Sequence, residues 1–189
     1  MMPRDTTFRY WLVCASVSGW QMQDGEYTRP SFVGDVETPE NLDSLTFGNL
    51  IKLSRLKDGS SIFYDVCKIV LNLDKEAVDK ARAIDVVSFV GWVTGEVNRI
   101  NKLFSRLSEK PTDNERKAGI DKLNFGLFGM VDRYARRMHI QNHDDVLNVS
   151  WSRVFRCLEM DKEESNFQKR YTEVIEHEYR RKNSSHRSR

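Results

Sequence analysis

The sequence predicts a mainly α-helical fold, an irregular multi-helix bundle with a short extended arm or β-hairpin at its N-terminal end. Three observations predict it. Apolar residues recur every three or four positions through most of the chain after residue 40. One run, Val86, Val90, Val93, Val97, Ile100, Phe104 and Leu107, keeps that spacing through successive heptads. The polar stretches between such runs carry capping residues, glycine or proline. With 189 residues, 39% of them hydrophobic, the chain can bury one core without disulfide or metal.

Residues 1–37 read as the arm. Phe8, Tyr10, Trp11, Val13 and Val17 favour extended backbone, and Asp24-Gly25 is a turn pair that would join two short strands. The aromatic content of Tyr10, Trp11, Trp20, Tyr27 and Phe32 implies a surface to bury against, another subunit included. Thr38-Pro39-Glu40 has the form of a helix start and opens a helical domain over 38–178. Leu45, Leu50, Leu53 and Leu56 predict a helix stopping at Asp58-Gly59, and Ile62, Val66, Ile69, Val70 and Leu73 a second after Ser60-Ser61. Asp74 caps the charged segment that follows. The Val86–Leu107 seam, widened by Phe89 and Trp92, is read as the central helix of a bundle rather than a coiled-coil dimer, because its register is short and its flanks lack paired charges. Pro111 closes it.

Thr112 to Glu115 has capping-box spacing, so a helix is expected from about Asp113 to Met138, with Ala118, Leu123, Leu127, Met130, Val131, Tyr134 and Met138 on its inner stripe. Gly126 and Gly129 each cost a helix about 1 kcal/mol relative to alanine, and close packing of a neighbouring element is the favoured reason for them. Gln141, Asn142, Asp144 and Asp145 mark a break and a new start, followed by a buried stripe of Trp151, Val154, Phe155 and Leu158. A last helix is expected from about Asp161, with Phe167, Tyr171, Val174 and Ile175 on one face. Residues 179–189 read as a basic, serine-rich, disordered tail.

The net charge of +2, from 30 basic and 28 acidic residues, lacks the basic excess of a protein held by phosphates, so nucleic acid is an open partner but not the favoured one. Cys14, Cys67 and Cys157 are dispersed in apolar settings, as expected of buried free thiols in a reducing compartment, and the cytoplasm is the expected location. The run Tyr10 to Val17 is too short and interrupted for a signal peptide or membrane span. His139 and His143 are four apart, but Ile140 stands where a zincin helix needs glutamate and Gln141-Asn142 ends the helix, so no metal site is expected. Phosphate-loop, nucleophile-elbow and dinucleotide patterns are missing from the sequence. The expectation is a non-enzymatic protein with no catalytic residue and no cofactor.

Candidate partner-binding residues are Arg133, Tyr134, Arg136, Arg137, Trp151 and Phe155, where basic and aromatic side chains interleave. Asp132, Asp145, Glu159, Asp161, Glu163 and Glu164 lie as close in sequence, so a face laced with ion pairs is the favoured reading of the arginines.

The order LTFGNLIKLSRL, a long valine-rich helix, AGIDKLNFGLFGMVDRYARRM and VLNVSWSRVFRCLEMDKEE resembles small helical proteins of tailed bacteriophages and prophages, above all the tail assembly chaperones. The resemblance spans about residues 40 to 176 as an arrangement of helices, outside the arm and the tail. It implies a non-enzymatic protein of the host cytoplasm that keeps the tape-measure protein soluble and recruits tail-tube subunits, binding a tail structural protein through exposed apolar helix faces. A nucleic-acid-associated regulator using the arginine-rich helix and tail, and a virion connector subunit, are the alternatives. Oligomerisation stays open.

Overall fold

Helix-starting residues along the chain divide it as follows in the computed structural model, which describes residues 5–19, 25–57, 59–108, 111–123 and 125–187, with the side chains of 115, 121 and 184–187 excepted. Helix α1 spans Phe8–Ser18, strands β1 and β2 are Phe32–Val33 and Val36–Glu37, and α2 to α4 span Phe47–Ser54, Ser61–Leu71 and Lys75–Lys80. The long α5 is Ala83–Ser105, α6 is Asp113–Lys117, and a 3₁₀ turn covers Ile120–Lys122. Helices α7, α8 and α9 are Gly126–Met138, His143–Leu147 and Trp151–Arg187. The fold is mainly α, with one two-stranded antiparallel sheet, as the periodicity predicts.

Helix α5 is the centre. Val86, Phe89, Val90, Val93, Val97 and Ile100 are buried along it, and α1, α2, α3 and β1 all pack on it. Seven apolar positions at heptad spacing thus face a shell of different elements, the bundle reading of the seam. Gly91 allows one close approach: a Cβ there would lie 2.2 Å from Cγ of Tyr27, so the ring of the segment before the hairpin rests directly on the helix backbone. At its C-terminal end, Phe104 sits between α2 and α9, with ring centroids 5.7 Å from Phe47, 6.3 Å from Trp151 and 5.3 Å from Phe155.

Side-chain caps expected from the sequence form where Asp74 accepts from the Ala77 amide at 2.8 Å and Asn142 from the Asp144 amide at 3.1 Å. Thr46 accepts from the Asn49 amide and starts α2. The hairpin of the N-terminal third turns at Gly34-Asp35, with Val33 paired to Val36 and positive φ at Gly34 alone of the two, the pattern of a type II′ turn. Of the hairpin expected around Asp24-Gly25, residues 20–24 lie outside the described residues, as does Asp58 of the turn after α2, while residues 26–28, expected as its second strand, form no strand.

Several expectations are corrected. The arm's Phe8–Ser18 is a helix, not extended: Phe8, Trp11 and Ala15 recur at helical spacing and are buried against Phe63, Tyr64 and α5. Local β-propensity lost there to a tertiary core. Thr38-Pro39-Glu40 starts no helix; Thr38 is buried, donating to the Pro30 carbonyl and accepting from Arg29 at 3.0 Å, so its hydroxyl fastens a loop. The helix from Asp113 is broken into α6, the 3₁₀ turn and α7, leaving Ala118 and Leu123 exposed. Gly126 enters α7 with φ of 51°, a left-handed backbone that only glycine adopts readily, so it serves the break rather than a close neighbour. Beside Gly129 the close group is the preceding Phe125, whose Cβ lies 2.8 Å from an added Cβ. No helix starts at Asp161, and none ends at Glu178: α9 runs unbroken from Trp151 to Arg187, through the stretch expected as a disordered tail.

Replacing Gly91 by alanine should destabilise the domain by about 1–3 kcal/mol, the usual cost of overpacking. Denaturant unfolding measures the loss, and limited proteolysis should show earlier cutting around Tyr27, which the new methyl group displaces.

Candidate protein-binding surface

The predicted partner residues do not form one exposed surface. Tyr134 is 1% and Trp151 4% exposed, so both are core residues and the reading of them as contact residues is corrected. The cause is periodicity: each lies on the inner stripe of its own helix, Tyr134 beside Val131 and Ala135, Trp151 beside Val154 and Leu158. Trp151 also donates its indole N–H to the buried Leu42 carbonyl at 2.6 Å, linking the start of α9 to the segment before α2. Phe155 is half-buried, edge-on to Phe104.

The three arginines stand on α7 as ion-pair partners. Arg133 donates to Asp161 at 3.0 Å and Arg137 pairs with the same carboxylate, while Arg136 reaches Asp132 at 2.9 Å. Asp161 is 12% exposed, so a largely screened carboxylate holds two guanidinium groups and clamps α9 to α7. Lys162 adds a bond to the Arg106 carbonyl at 2.6 Å. The face laced with ion pairs, the favoured sequence reading, is what these residues build.

His139 and His143 are separated by the helix end expected between them. His139 terminates α7 in the left-handed conformation, φ 53°, and His143 opens the next helix with Nε2 3.2 Å from Asp132 and its ring 5.2 Å from Phe128. Among the described residues no three His, Cys, Asp or Glu side chains gather as metal ligands would. An open groove of about 480 Å³ lies between the hairpin and α4, lined by Val33, Gly34, Leu73, Asp74, Lys80 and others, and its Lys80 is held in an exposed ion pair with Glu76 at 2.7 Å.

Cysteine placement corrects one expectation. Cys67 is buried and its thiol is pushed up to about 12 by desolvation, whereas Cys14 is exposed and Cys157 partly so. Burial also raises Tyr64 to about 12, helped by its bond to Asp79 at 2.7 Å, and raises Tyr134.

What sequence reasoning missed is where apolar area stays outside. On α1, Tyr10, Val13, Cys14 and Val17 are exposed at the spacing of one helix face, with Val17 86% exposed. Leu123, Phe125 and Phe128 are exposed before and within the first turn of α7. On α9, Phe167, Tyr171, Val174, Ile175 and Tyr179 are exposed, and no side chain from 167 to 183 is buried. The signal for the α1 face was present as i, i+3, i+4, i+7 spacing, obscured by the strand-favouring residues that supply it. Among the described residues no helix is long and apolar enough to cross a membrane.

No protein-family model matches the chain, nor does any curated protein or solved structure.

Two measurements test this placement. Trp151→Phe removes the indole bond to Leu42 and should cost about 1–2 kcal/mol in denaturant unfolding while leaving partner binding unchanged, since the side chain is internal. Alkaline titration tests Cys67. Its folded pKa is raised, so the unfolded chain releases the proton first; the stability it contributes is intact below about pH 9 and is lost as pH rises towards about 12. The slope should be about 1.4 kcal/mol per pH unit, and Cys67→Ala should flatten the curve most clearly between pH 9 and 10, before Tyr64 contributes.

Proposed function

We propose that the chain is a non-enzymatic assembly protein of the tail assembly chaperone kind, which holds another phage structural protein through an apolar helix face. The observation that carries the reading is α1. Phe8, Trp11 and Ala15 bury its inner side, and Tyr10, Val13, Cys14 and Val17 leave its outer side apolar as well. A helix that is apolar on two opposite faces usually buries both, and the outer face of this one meets solvent. A contiguous apolar face of this sort marks a protein contact, and aromatic anchors such as Tyr10 suit its centre. The near-balanced charge, +2 overall, supports contact through apolar area over phosphate neutralisation.

A second reading has its own observation. Arg180, Arg181 and Lys182 lie together and exposed on α9, a cationic end that suits a nucleic-acid-associated regulator.

The test is co-expression with the tape-measure protein of the same genome. The chain should keep that protein soluble and co-purify with it after nuclease treatment, with weak dependence on salt. Val13→Glu with Val17→Glu should lower the affinity by about tenfold or more at an unchanged melting temperature, both side chains being exposed. Equal binding by the double variant overturns the α1 assignment. Loss of every partner with the nucleic acid, and steep salt dependence, overturns the chaperone reading in favour of the regulator.

A further inference from the structure

Beyond its docked turns α9 carries a second apolar stripe, and this one is exposed. Beyond the Asp161 clamp and the Lys162 bond, the helix continues to Arg187, about 40 Å at 1.5 Å per residue. Phe167, Tyr171 and Val174 follow one another at four and three residues, and Ile175 and Tyr179 widen the stripe. Phe167 and Tyr171 are stacked, with ring centroids 6.1 Å apart. Spacing of four and three is that of a seam between two helices, and a long helix owes most of its stability to packing such a face.

The charges on either side say what packs there. Glu163 and Glu164 precede the stripe, Lys169 and Arg170 lie within its first half, Glu173, Glu176 and Glu178 within its second, and Arg180, Arg181 and Lys182 follow. This order is self-complementary when reversed. A second α9 laid antiparallel, centred at Thr172-Glu173, sets Glu163 and Glu164, which lie on or beside the stripe, next to Lys182 and Arg181 of the second copy. Phe167 then meets the Glu178-Tyr179 turn, and Tyr171 meets Val174 and Ile175. A parallel pair in register would instead set acid on acid and base on base, which is unfavourable. We infer that the protein is a two-fold symmetric dimer held by antiparallel pairing of the α9 segments beyond Lys162, with each helical body at an opposite end of the pair. The two-fold operator doubles each ion-pair contact, so a modest charge match acts repeatedly. The pairing uses no residue of α1 and leaves that face open.

Sedimentation of the full chain tests it. The expected species has twice the chain mass of 22.1 kDa. Tyr171→Glu with Ile175→Glu should give monomer with unchanged melting of the body, since both side chains are exposed. Orientation is tested by charge exchange. Glu163→Lys with Glu164→Lys should weaken the dimer by about tenfold, and adding Arg181→Glu with Lys182→Glu in the same chain should restore it. A chain that stays monomeric at high-micromolar concentration overturns the inference, whether or not α9 then captures a different protein. A dimer indifferent to Tyr171→Glu and Ile175→Glu places the interface elsewhere, and a charge reversal that is not rescued overturns the antiparallel arrangement. Because the α1 variants act on another face, their outcome and this one are read separately.

Discussion

The rest of the structure depends on how four helix starts satisfy their backbone N–H groups. The opening residues of α1 and α5 exchange bonds: the Phe8 amide donates to the Ala81 carbonyl at 2.8 Å, and the Ala83 amide to Thr6 at 2.8 Å, across the Thr7–Arg82 bridge. The openings of α2 and α9 do the same across Thr46–Ser150, with Phe47 donating to Val149 at 2.7 Å and Trp151 to Leu45 at 3.0 Å. Each bridge satisfies donors that a helix start leaves without an intrahelical partner, and each fixes two helices that are distant in sequence side by side. Breaking either would expose backbone donors of two elements at once, so the bridges tie the N-terminal segment and the C-terminal helix into one core.

With those ends fixed, α5 needs only to be apolar on several sides, and it is. Valines at Val86, Val87, Val90, Val93 and Val97 are short and stiff, which lets α1, α2, α3 and β1 approach from different directions. The aromatic group around Phe104 then closes the end of α5 under α2 and α9. Asp161 sets the limit of that docking. One carboxylate, little exposed and bonded by Arg133 and Arg137, holds the last docked turn of α9. Past it, Phe167 and Tyr171 are exposed.

The central helix, α2, α3, α4 and α8 were legible because their signals are local: heptad spacing, the Asp74 and Asn142 caps, the turn residues between them. Helix α1 and the true start of α9 were not legible, because their opening amides are satisfied by carbonyls far away along the chain (Phe8 to Ala81 is one such span, Trp151 to Leu45 another), which no nearby residue announces. The acidic first turn expected at Asp161 is a side chain serving a tertiary clamp, chemically the same signal as a helix start. The same confusion affected the candidate surface. Tyr134 and Trp151 looked like interface aromatics because of the arginines around them, yet helical position sent the rings inward and the guanidinium groups outward to Asp132 and Asp161.

The uncovered faces differ in what the fold requires of them. On α1 the inner residues Phe8, Trp11 and Ala15 already supply the packing that holds the helix, so the outer face can be covered and uncovered without unfolding anything. Apolar area of this kind, at about 25 cal/mol per Å², suits a contact that forms and releases. The later length of α9 buries none of its described side chains from 167 to 183, and pairs within the helix such as Arg180 with Glu176 at 3.6 Å are each worth a few tenths of a kcal/mol. A segment so weakly supported gains far more from a permanent neighbour than α1 does. The two faces are therefore suited to different tasks, lasting association through α9 and reversible contact through α1, and under the proposed α9 pairing the two α1 faces would lie on separate helical bodies.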